Sequence, residues 1–158
     1  MLVVIRKLIL KESIGQNILK IIMKFKLKTL IQKPTDKELL NLWQEIVKAR
    51  ANYKCEYPNC RKTEYLNAHH IHSKSKRSTR YEPDNGICLC SGHHSLNNNS
   101  AHKDPDFKSV LIENNIRTKE FFDKLKFRAF TPAKLDLNAT KLYLKDYLKK
   151  LEKVKNLC

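Results

Sequence analysis

Residues 85–94 read Asn-Gly-Ile-Cys-Leu-Cys-Ser-Gly-His-His, and they carry the strongest structural signal in the chain. The apolar run from Gly86 to Cys90 predicts a buried strand, and we expect a helix to begin at Ser91. Cys90 and His93 have the spacing of two ligands that bind one metal ion. This stretch therefore predicts a strand that delivers metal ligands to the start of a helix.

A second pair of metal ligands precedes this stretch, in the order Cys55-x4-Cys60. Together with Cys90 and His93 it gives the closed Cys3His set of a structural, tetrahedral Zn²⁺ site. The chain has five cysteines, an odd number, and we expect no secretory context, so metal binding is favoured over disulfides. Cys88 has no spaced partner and is predicted to be a small buried apolar residue.

Several histidines remain once these four ligands are assigned. Residues 64–70 predict a strand that ends in His69 and His70. Adjacent residues of a strand point to opposite sides, so His69 can bind a metal ion while His70 faces an attacking water. His94 can reach the same ion from the first turn of the helix. Phosphodiester hydrolysis needs these two parts, a metal ion and a neutral imidazole.

The order His69-His70, Asn85, His94 resembles the motif of the HNH endonucleases, which are His-Me finger or ββα-metal nucleases. Asn85 lies 15 residues after His70, and His94 lies nine after Asn85. The cysteine pairs resemble the zinc-containing branch of that family, although Cys-x4-Cys replaces the commoner Cys-x2-Cys and His93 replaces the last cysteine. The resemblance covers about residues 50–105, and residues 100–151 are similar to the tail of small phage-type HNH proteins.

The resemblance implies an α+β chain with a small ββα-metal module, flanked by N- and C-terminal helices. It implies a metal-dependent DNA endonuclease or nickase that leaves 5′-phosphate and 3′-hydroxyl ends. His70 stands at the position of the general base, and Asn85 at that of the residue that orients the base and its loop. His69 and His94 would hold one divalent ion, Mg²⁺ or another. A further ligand is Asn98 by spacing or His102 by chemistry.

The charge of the chain indicates a polyanionic partner. The net charge is +16, and the excess is spread along the whole sequence, which indicates nucleic acid or an anionic membrane surface. The resemblance to HNH nucleases implies that the partner is DNA, double-stranded or branched. The loop of residues 73–80 carries four cations and no acid: Lys74, Lys76, Arg77 and Arg80. We expect it to contact the DNA backbone, with Arg80 binding phosphate through two hydrogen bonds. The alternative is a solvated loop without a ligand.

The chain divides into three predicted regions. Residues 1–33 form a basic N-terminal helical extension, residues 34–104 the nuclease module with its leading helix, and residues 105–158 a C-terminal helical region. The leading helix opens with a capping box, Thr35 and Glu38, and carries an apolar stripe. The stripe consists of Leu39, Leu42, Trp43, Ile46 and Val47.

The C-terminal region predicts helices from residue 104 or 105 to 114, from 118 to 127, and from 139 to 155. Asn138 is the expected N-cap of the last helix, whose stripe is Leu144, Tyr147, Leu148 and Leu151. This stripe predicts either packing against the domain or a homodimer through the C-terminal helices. For Tyr65, Tyr81 and Phe130 we expect packing in the core rather than stacking on bases.

Charges at Arg6, Lys7 and Lys11 interrupt the apolar N-terminus well short of a membrane span. We therefore expect an intracellular, soluble protein without a membrane partner, encoded by a virus or mobile element if the phage-type resemblance holds. Two other functions remain open. One is a non-catalytic, zinc-dependent module that binds nucleic acid, and the other is a recombination accessory protein that contacts partners through its long helices.

Overall fold

The structure is a computed structural model that describes residues 33–155. The predicted N-terminal extension, apart from Lys33, lies outside the described residues, as does Cys158. The fold is mixed α+β, with helices around a two-stranded antiparallel sheet. The elements in chain order are α1 (Asp36–Arg50), β1 (Leu66–His70), a 3₁₀ turn (Pro83–Asn85), β2 (Gly86–Cys90), a π-helical turn (Gly92–Leu96), α2 (Phe107–Glu113), α3 (Lys119–Phe130) and α4 (Leu137–Lys155).

Helix α1 begins as its sequence predicts. The backbone N–H of Glu38 donates to Thr35 Oγ1 over 3.2 Å, and the N–H of Thr35 donates to Glu38 Oε2 over 2.8 Å. This reciprocal capping box satisfies two backbone donors that the first helical turn leaves free. The predicted apolar stripe faces the core, where Leu39, Trp43, Ile46 and Val47 are buried and Leu42 is partly buried.

The sheet brings the two predicted ligand-bearing strands side by side. Strand β2 has the predicted bounds, and β1 starts at Leu66 rather than Glu64. The register pairs His69 with Ile87 and His70 with Gly86. A Cβ atom on Gly86 would lie 2.2 Å from Val47 Cγ2. Only glycine therefore lets α1 approach the backbone of the hairpin so closely.

Helices α2 and α3 pack against strand β2 of the hairpin. Phe107, Leu111 and Phe122 pack in one buried cluster with Ile87 and Leu89 of β2. Helix α2 starts later than predicted, because the Asp104 carboxylate accepts a hydrogen bond from Asp106 N and forms a turn first. Helix α3 continues to Phe130 instead of ending at residue 127.

Helix α4 begins two residues before its predicted start, and the N-cap assignment to Asn138 is wrong. Asp136 Oδ1 accepts hydrogen bonds from the backbone N–H groups of Asn138 and Ala139, so Asp136 supplies the cap. Leu144 is buried, and Tyr147, Leu148 and Leu151 pack against the cluster that contains the α1 stripe. The surface that suggested a homodimer is thus covered within the chain. No helix of residues 33–155 is both long and apolar enough to cross a membrane.

Candidate metal centres

The first candidate centre, here called the closed cluster, consists of Cys55, Cys60, Cys90 and His93. Each residue offers one ligand atom, and these four atoms all lie within 4.8 Å of one another. His93 Nδ1 is 3.5 Å from Cys55 Sγ and 3.4 Å from Cys90 Sγ. Bond lengths of about 2.3 Å for Zn–S and 2.0 Å for Zn–N in a tetrahedron require donor separations of roughly 3.5 Å. The predicted ligands therefore have the spacing that a tetrahedral ion needs.

Short local contacts build the closed cluster. Cys60 N donates to Tyr57 O over 3.0 Å, closing the turn between the first two cysteines. Tyr57 stacks on His93, with ring centroids 3.9 Å apart and planes 12° from parallel, which fixes the plane of the imidazole. Sequence reasoning gave Tyr57 no role. Burial raises the pKa of Cys55 to about 12, so a bound cation is needed to stabilise its thiolate at neutral pH.

The second candidate centre, here called the open cluster, consists of His69, His94 and His102. One ring nitrogen from each residue lies within 4.8 Å of the others. The ring centroids are separated by 4.8 to 5.4 Å in edge-on arrangements. His102 is exposed and the other two are partly buried. Of the two predicted further ligands, the structure groups His102 with His69 and His94, whereas Asn98 is an exposed residue of the preceding loop.

The π-helical turn and the loop after it bring His102 to the other two imidazoles. The hydrogen bond from Asn97 N to Gly92 O, 2.9 Å long, closes the wide turn that carries His93 and His94. The chain then reverses, and Ala101 N donates to His93 O over 2.9 Å. The sequence predicted an ordinary helix here. His102 reaches the other two imidazoles only because of the π-helical turn and the reversal. Its sequence spacing therefore did not indicate it as a ligand, and only the chemistry of its side chain did.

Two imidazoles of the open cluster, those of His69 and His94, are held in their neutral, metal-binding form. Burial, together with the nearby His102 and His94, lowers the pKa of His69 to about 4. Burial and His102 also lower the pKa of His94 below its ordinary value. Three imidazole ligands with an exposed side suit a divalent ion that keeps positions for water or substrate.

His70 follows His69 on β1 but has a different environment. Its ring stacks on Trp43, with centroids 3.8 Å apart and planes 15° from parallel. Its Nε2 lies 2.9 Å from the carbonyl oxygen of Arg80. Because a carbonyl oxygen only accepts, Nε2 carries the proton, and the neutral ring has its lone pair on Nδ1. Burial lowers the pKa of His70, so the ring is a neutral base at pH 7.

Asn85 is fully buried and fixes the loop that orients His70. Its Oδ1 accepts from His72 N over 2.7 Å, and its Nδ2 donates to His72 O and Thr79 O over 3.0 and 3.1 Å. Both ends of the loop are thus tied to one amide. The residue after Thr79 is Arg80, whose carbonyl meets His70. Within residues 33–155, Asn85 therefore acts on His70 through the loop rather than through a direct hydrogen bond.

The four cations of the 73–80 loop differ in their contacts. Lys74 and Arg77 are exposed, and Lys76 Nζ lies 3.9 Å above the Phe130 ring. Arg80 Nε and Nη2 bind the two carboxylate oxygens of Asp36 at 2.9 and 2.5 Å, and its Nη1 donates to Lys74 O. The guanidinium expected to bind phosphate is already paired within the protein. Asp36 lies 44 positions away, so sequence spacing gave no sign of this pair.

The aromatic residues also depart from expectation. Tyr81 is buried as predicted, and its hydroxyl donates to Asp36. Tyr65 and Phe130 were expected in the core, but their exposed fractions are 82% and 62%. Tyr65 immediately precedes β1 and has a positive φ of 51°. Phe130 is the last residue of α3 and is not among the residues that form its buried face, which are Phe122, Leu125 and Ala129.

Comparison of the chain with protein-family models, with curated proteins and with solved structures finds no match. The chemical interpretation therefore depends on the geometry alone. Both clusters could hold a metal ion. A four-ligand set with three sulfurs suits Zn²⁺, and an open set of three imidazoles, next to a fourth neutral imidazole, suits metal-assisted hydrolysis.

Proposed function

We propose that the protein is a metal-dependent DNA endonuclease or nickase whose catalytic part is a zinc-stabilised ββα-metal module of the HNH type. One observation carries the proposal. An open three-histidine cluster lies beside a separate neutral imidazole, His70, whose Nε2 is held by the Arg80 carbonyl. Nucleic-acid binding requires neither feature, whereas hydrolysis of a phosphodiester uses both.

His70 acts as the general base through Nδ1. Its Nδ1 takes a proton from water, the water oxygen bonds to phosphorus, and the bond from phosphorus to the 3′ oxygen breaks. The departing 3′ oxygen takes a proton from solvent water, and His70 later returns its proton to solvent. The products are a 5′-phosphate and a 3′-hydroxyl. Trp43 and the Arg80 carbonyl hold the imidazole in one orientation, which reduces the entropy lost on reaching the transition state. His69, His94 and His102 would hold the divalent ion that neutralises charge at the phosphate.

The closed cluster has a structural role in this proposal. Cys55, Cys60, Cys90 and His93 would bind Zn²⁺ with no position left for substrate. Cys90 ends β2, and His93 comes just before His94. Binding of zinc here thus fixes the backbone from which the open cluster is built.

DNA is the proposed substrate because of the charge of the chain. The net charge of +16 favours contacts with a phosphate backbone, as do Lys74 and Arg77, which are exposed in the 73–80 loop. Lys76 is available at the edge of the same loop. Arg80 is no longer included among these contacts, since its guanidinium is bound to Asp36.

A non-catalytic, zinc-dependent module that binds nucleic acid is the second candidate. The closed cluster and the basic charge support it equally well. A recombination accessory protein that uses its long helices is less favoured, because the α4 stripe packs against the cluster with the α1 stripe.

A nicking assay separates the candidates. Purified protein is incubated with supercoiled plasmid and Mg²⁺, Mn²⁺ or Ni²⁺, or with no added ion, and His70→Ala is assayed in parallel. We expect nicking only with an added ion, and a large loss in His70→Ala. If no ion supports cleavage, or if His70→Ala cuts as well as the wild type, the binding module replaces the nuclease.

A further inference from the structure

A cavity adjoins the open cluster between β1, α2 and α3. It has a volume of about 210 Å³, and His69 lines it together with the apolar side chains of Phe107, Leu111 and Phe122. It is smaller than the roughly 300–1,000 Å³ typical of pockets for drug-sized ligands. A largely apolar cavity of this size suits one ring system.

Cations surround this cavity. Lys108 lines it, and its Nζ lies 4.7 Å from the centroid of the Phe122 ring. Burial, and then the positive charges of Lys108, Lys126 and Lys76, lower the pKa of His72, another lining residue. Asp104 also lines the cavity. Positive charge therefore exceeds negative charge at this surface, which favours an anionic ligand.

An exposed aromatic surface continues from the cavity. The ring centroid of Phe130 lies 6.4 Å from that of His72, and Lys76 Nζ lies 3.9 Å above the Phe130 ring. Phe130 also lines a groove with Asp123, Lys126 and Phe127, and Phe127 is 75% exposed. The lysines of the cavity and groove surface, Lys76, Lys108 and Lys126, thus outnumber its carboxylates, Asp104 and Asp123. Exposed aromatic rings beside lysines are the usual components of surfaces that bind single-stranded nucleic acid.

We propose that the surface from this cavity to the Phe127–Phe130 groove binds unpaired nucleotides, with one base in the cavity and a neighbouring base stacked on Phe130. A base inside a duplex is stacked and paired, so it cannot enter a cavity without leaving the helix. Lys76, Lys108 and Lys126 would contact the phosphates. Because His69 belongs to both the cavity and the open cluster, the unpaired nucleotide would lie next to the scissile phosphate. This placement rests on the proposed nuclease function.

The substrate class that follows is DNA with an unpaired segment at the cleavage site, such as a bulge, flap or branch. A protein partner would also cover exposed phenylalanines, but the three lysines favour a ligand that combines flat rings with negative charge. A second copy of this basic chain would bring like charges together. DNA with an unpaired segment is therefore the ligand that suits both the aromatic and the charged residues of this surface.

The test is fluorescence anisotropy with labelled DNA of one sequence, either fully paired or carrying a short unpaired bulge, without added divalent ion. We expect the wild type to bind the bulged DNA roughly tenfold more tightly, the scale of stacking one base on an aromatic ring. Phe130→Ala and Lys108→Ala should lose most of this preference, and Phe130→Tyr should retain it. Tyr65→Ala is the matched control, since Tyr65 is even more exposed than Phe130 and lines neither the cavity nor the groove.

Three results would overturn the proposal: equal affinity of the wild type for both DNAs, an equal loss on both DNAs in Phe130→Ala, or dissociation of an oligomer by Phe130→Ala in sedimentation velocity. Each of these is independent of cleavage. If the preference for bulged DNA is found but no ion supports nicking, the unpaired-strand surface is supported while the proposed nuclease fails.

Discussion

The closed and open clusters are neighbours in the sequence and differ in almost every physical property. His93 belongs to the closed cluster and His94, the next residue, to the open one. The closed cluster has four donors, three of them sulfur, and Cys55 and Cys90 are buried. The open cluster has three nitrogen donors, and His102 is exposed. A complete, buried donor set holds an ion for the fold, whereas an incomplete, exposed set leaves positions for a reaction.

The environments of the imidazoles follow the same division. Tyr57 stacks flat on His93 and fixes it in the closed cluster. The imidazoles of the open cluster meet edge-on, with no aromatic side chain stacked flat on them among the contacts of residues 33–155. We infer that a change in the closed cluster acts on stability and a change in the open cluster acts on activity.

The largest effect is expected from Cys60→Ser, which removes one donor of the closed cluster. Structural zinc contributes about 10–16 kcal/mol in zinc-finger peptides, as much as the whole stability of a typical domain. We expect the variant to lose zinc and its cooperative unfolding transition, measured by metal analysis and circular dichroism. Cys88→Ser, at a buried cysteine outside the cluster, is the control that should keep its zinc. A Cys60→Ser protein that melts like the wild type would remove the zinc assignment.

The next largest effect is expected from His70→Ala. Loss of a positioned general base should lower cleavage by on the order of 10²-fold or more. Metal content should not change, because His70 belongs to neither cluster. The variant also loses the stack on Trp43, so we expect a fall in melting temperature of about 2–4 °C, corresponding to roughly 1 kcal/mol. Cleavage that falls only in proportion to the folded fraction would show that His70 is merely structural.

His102→Ala tests which residue completes the open cluster. We expect at least a tenfold rise in the concentration of divalent ion needed for half-maximal cleavage, with activity partly restored at high ion concentration. Asn98→Ala is the matched control, because Asn98 is an exposed residue of the same loop. His94→Ala should raise the ion concentration needed for half-maximal cleavage at least as much as His102→Ala. A larger effect of Asn98→Ala than of His102→Ala would reverse the ligand assignment.

The pH profile of cleavage reports on His70. Burial first, and then Arg80 and Lys74, lowers its pKa below the ordinary 6.5. A lowered pKa keeps the ring neutral to lower pH, so more than half of the maximal rate should remain at pH 6.5. Lys74→Ala removes a cation that disfavours the protonated ring, and the acid limb should therefore move to higher pH. An acid limb centred above pH 6.5 in the wild type would contradict a buried base.

The smallest effect is expected from replacing Lys74, Lys76 and Arg77 with alanine. Affinity should fall by a similar factor for every DNA sequence, and the slope of log affinity against log salt should decrease by about 3. Asp36→Asn is the contrasting variant, since it releases Arg80 from its ion pair and should reduce cleavage more than binding. Unchanged duplex binding by the triple variant would make this a solvated loop.

Local features of the fold could be predicted from the sequence, and contacts between distant positions could not. The capping box at Thr35 and the bounds of β2 are confirmed, because each depends on residues a few positions apart. The Asp36–Arg80 pair and the Trp43–His70 stack join residues far apart in the chain, and no periodicity encodes them. They emerge only when α1 packs on the hairpin.

The candidate sites show the same limit. Cys55 and Cys60 form one closely spaced pair, and Cys90 and His93 form another. A single contact between the two pairs brings all four donors together, so the spacing was sufficient to group them. His102 depends on the π-helical turn and the reversal after it, so spacing alone favoured Asn98. The cap of α4 was assigned to Asn138 for a related reason. Both Asp136 and Asn138 are good caps, and only the path of the preceding chain selects Asp136.

The most direct test of the division between the two clusters is an ordered metal titration with cleavage as the readout. Zinc is added to metal-free protein until the closed cluster is filled, and Mg²⁺ or Mn²⁺ is then added while nicking of plasmid is measured. We expect the first equivalent of zinc to restore the fold without cleavage, and the second ion to start it. Cleavage that appears with the first equivalent alone, or that never appears with any second ion, would contradict the separation of a structural site from a catalytic one.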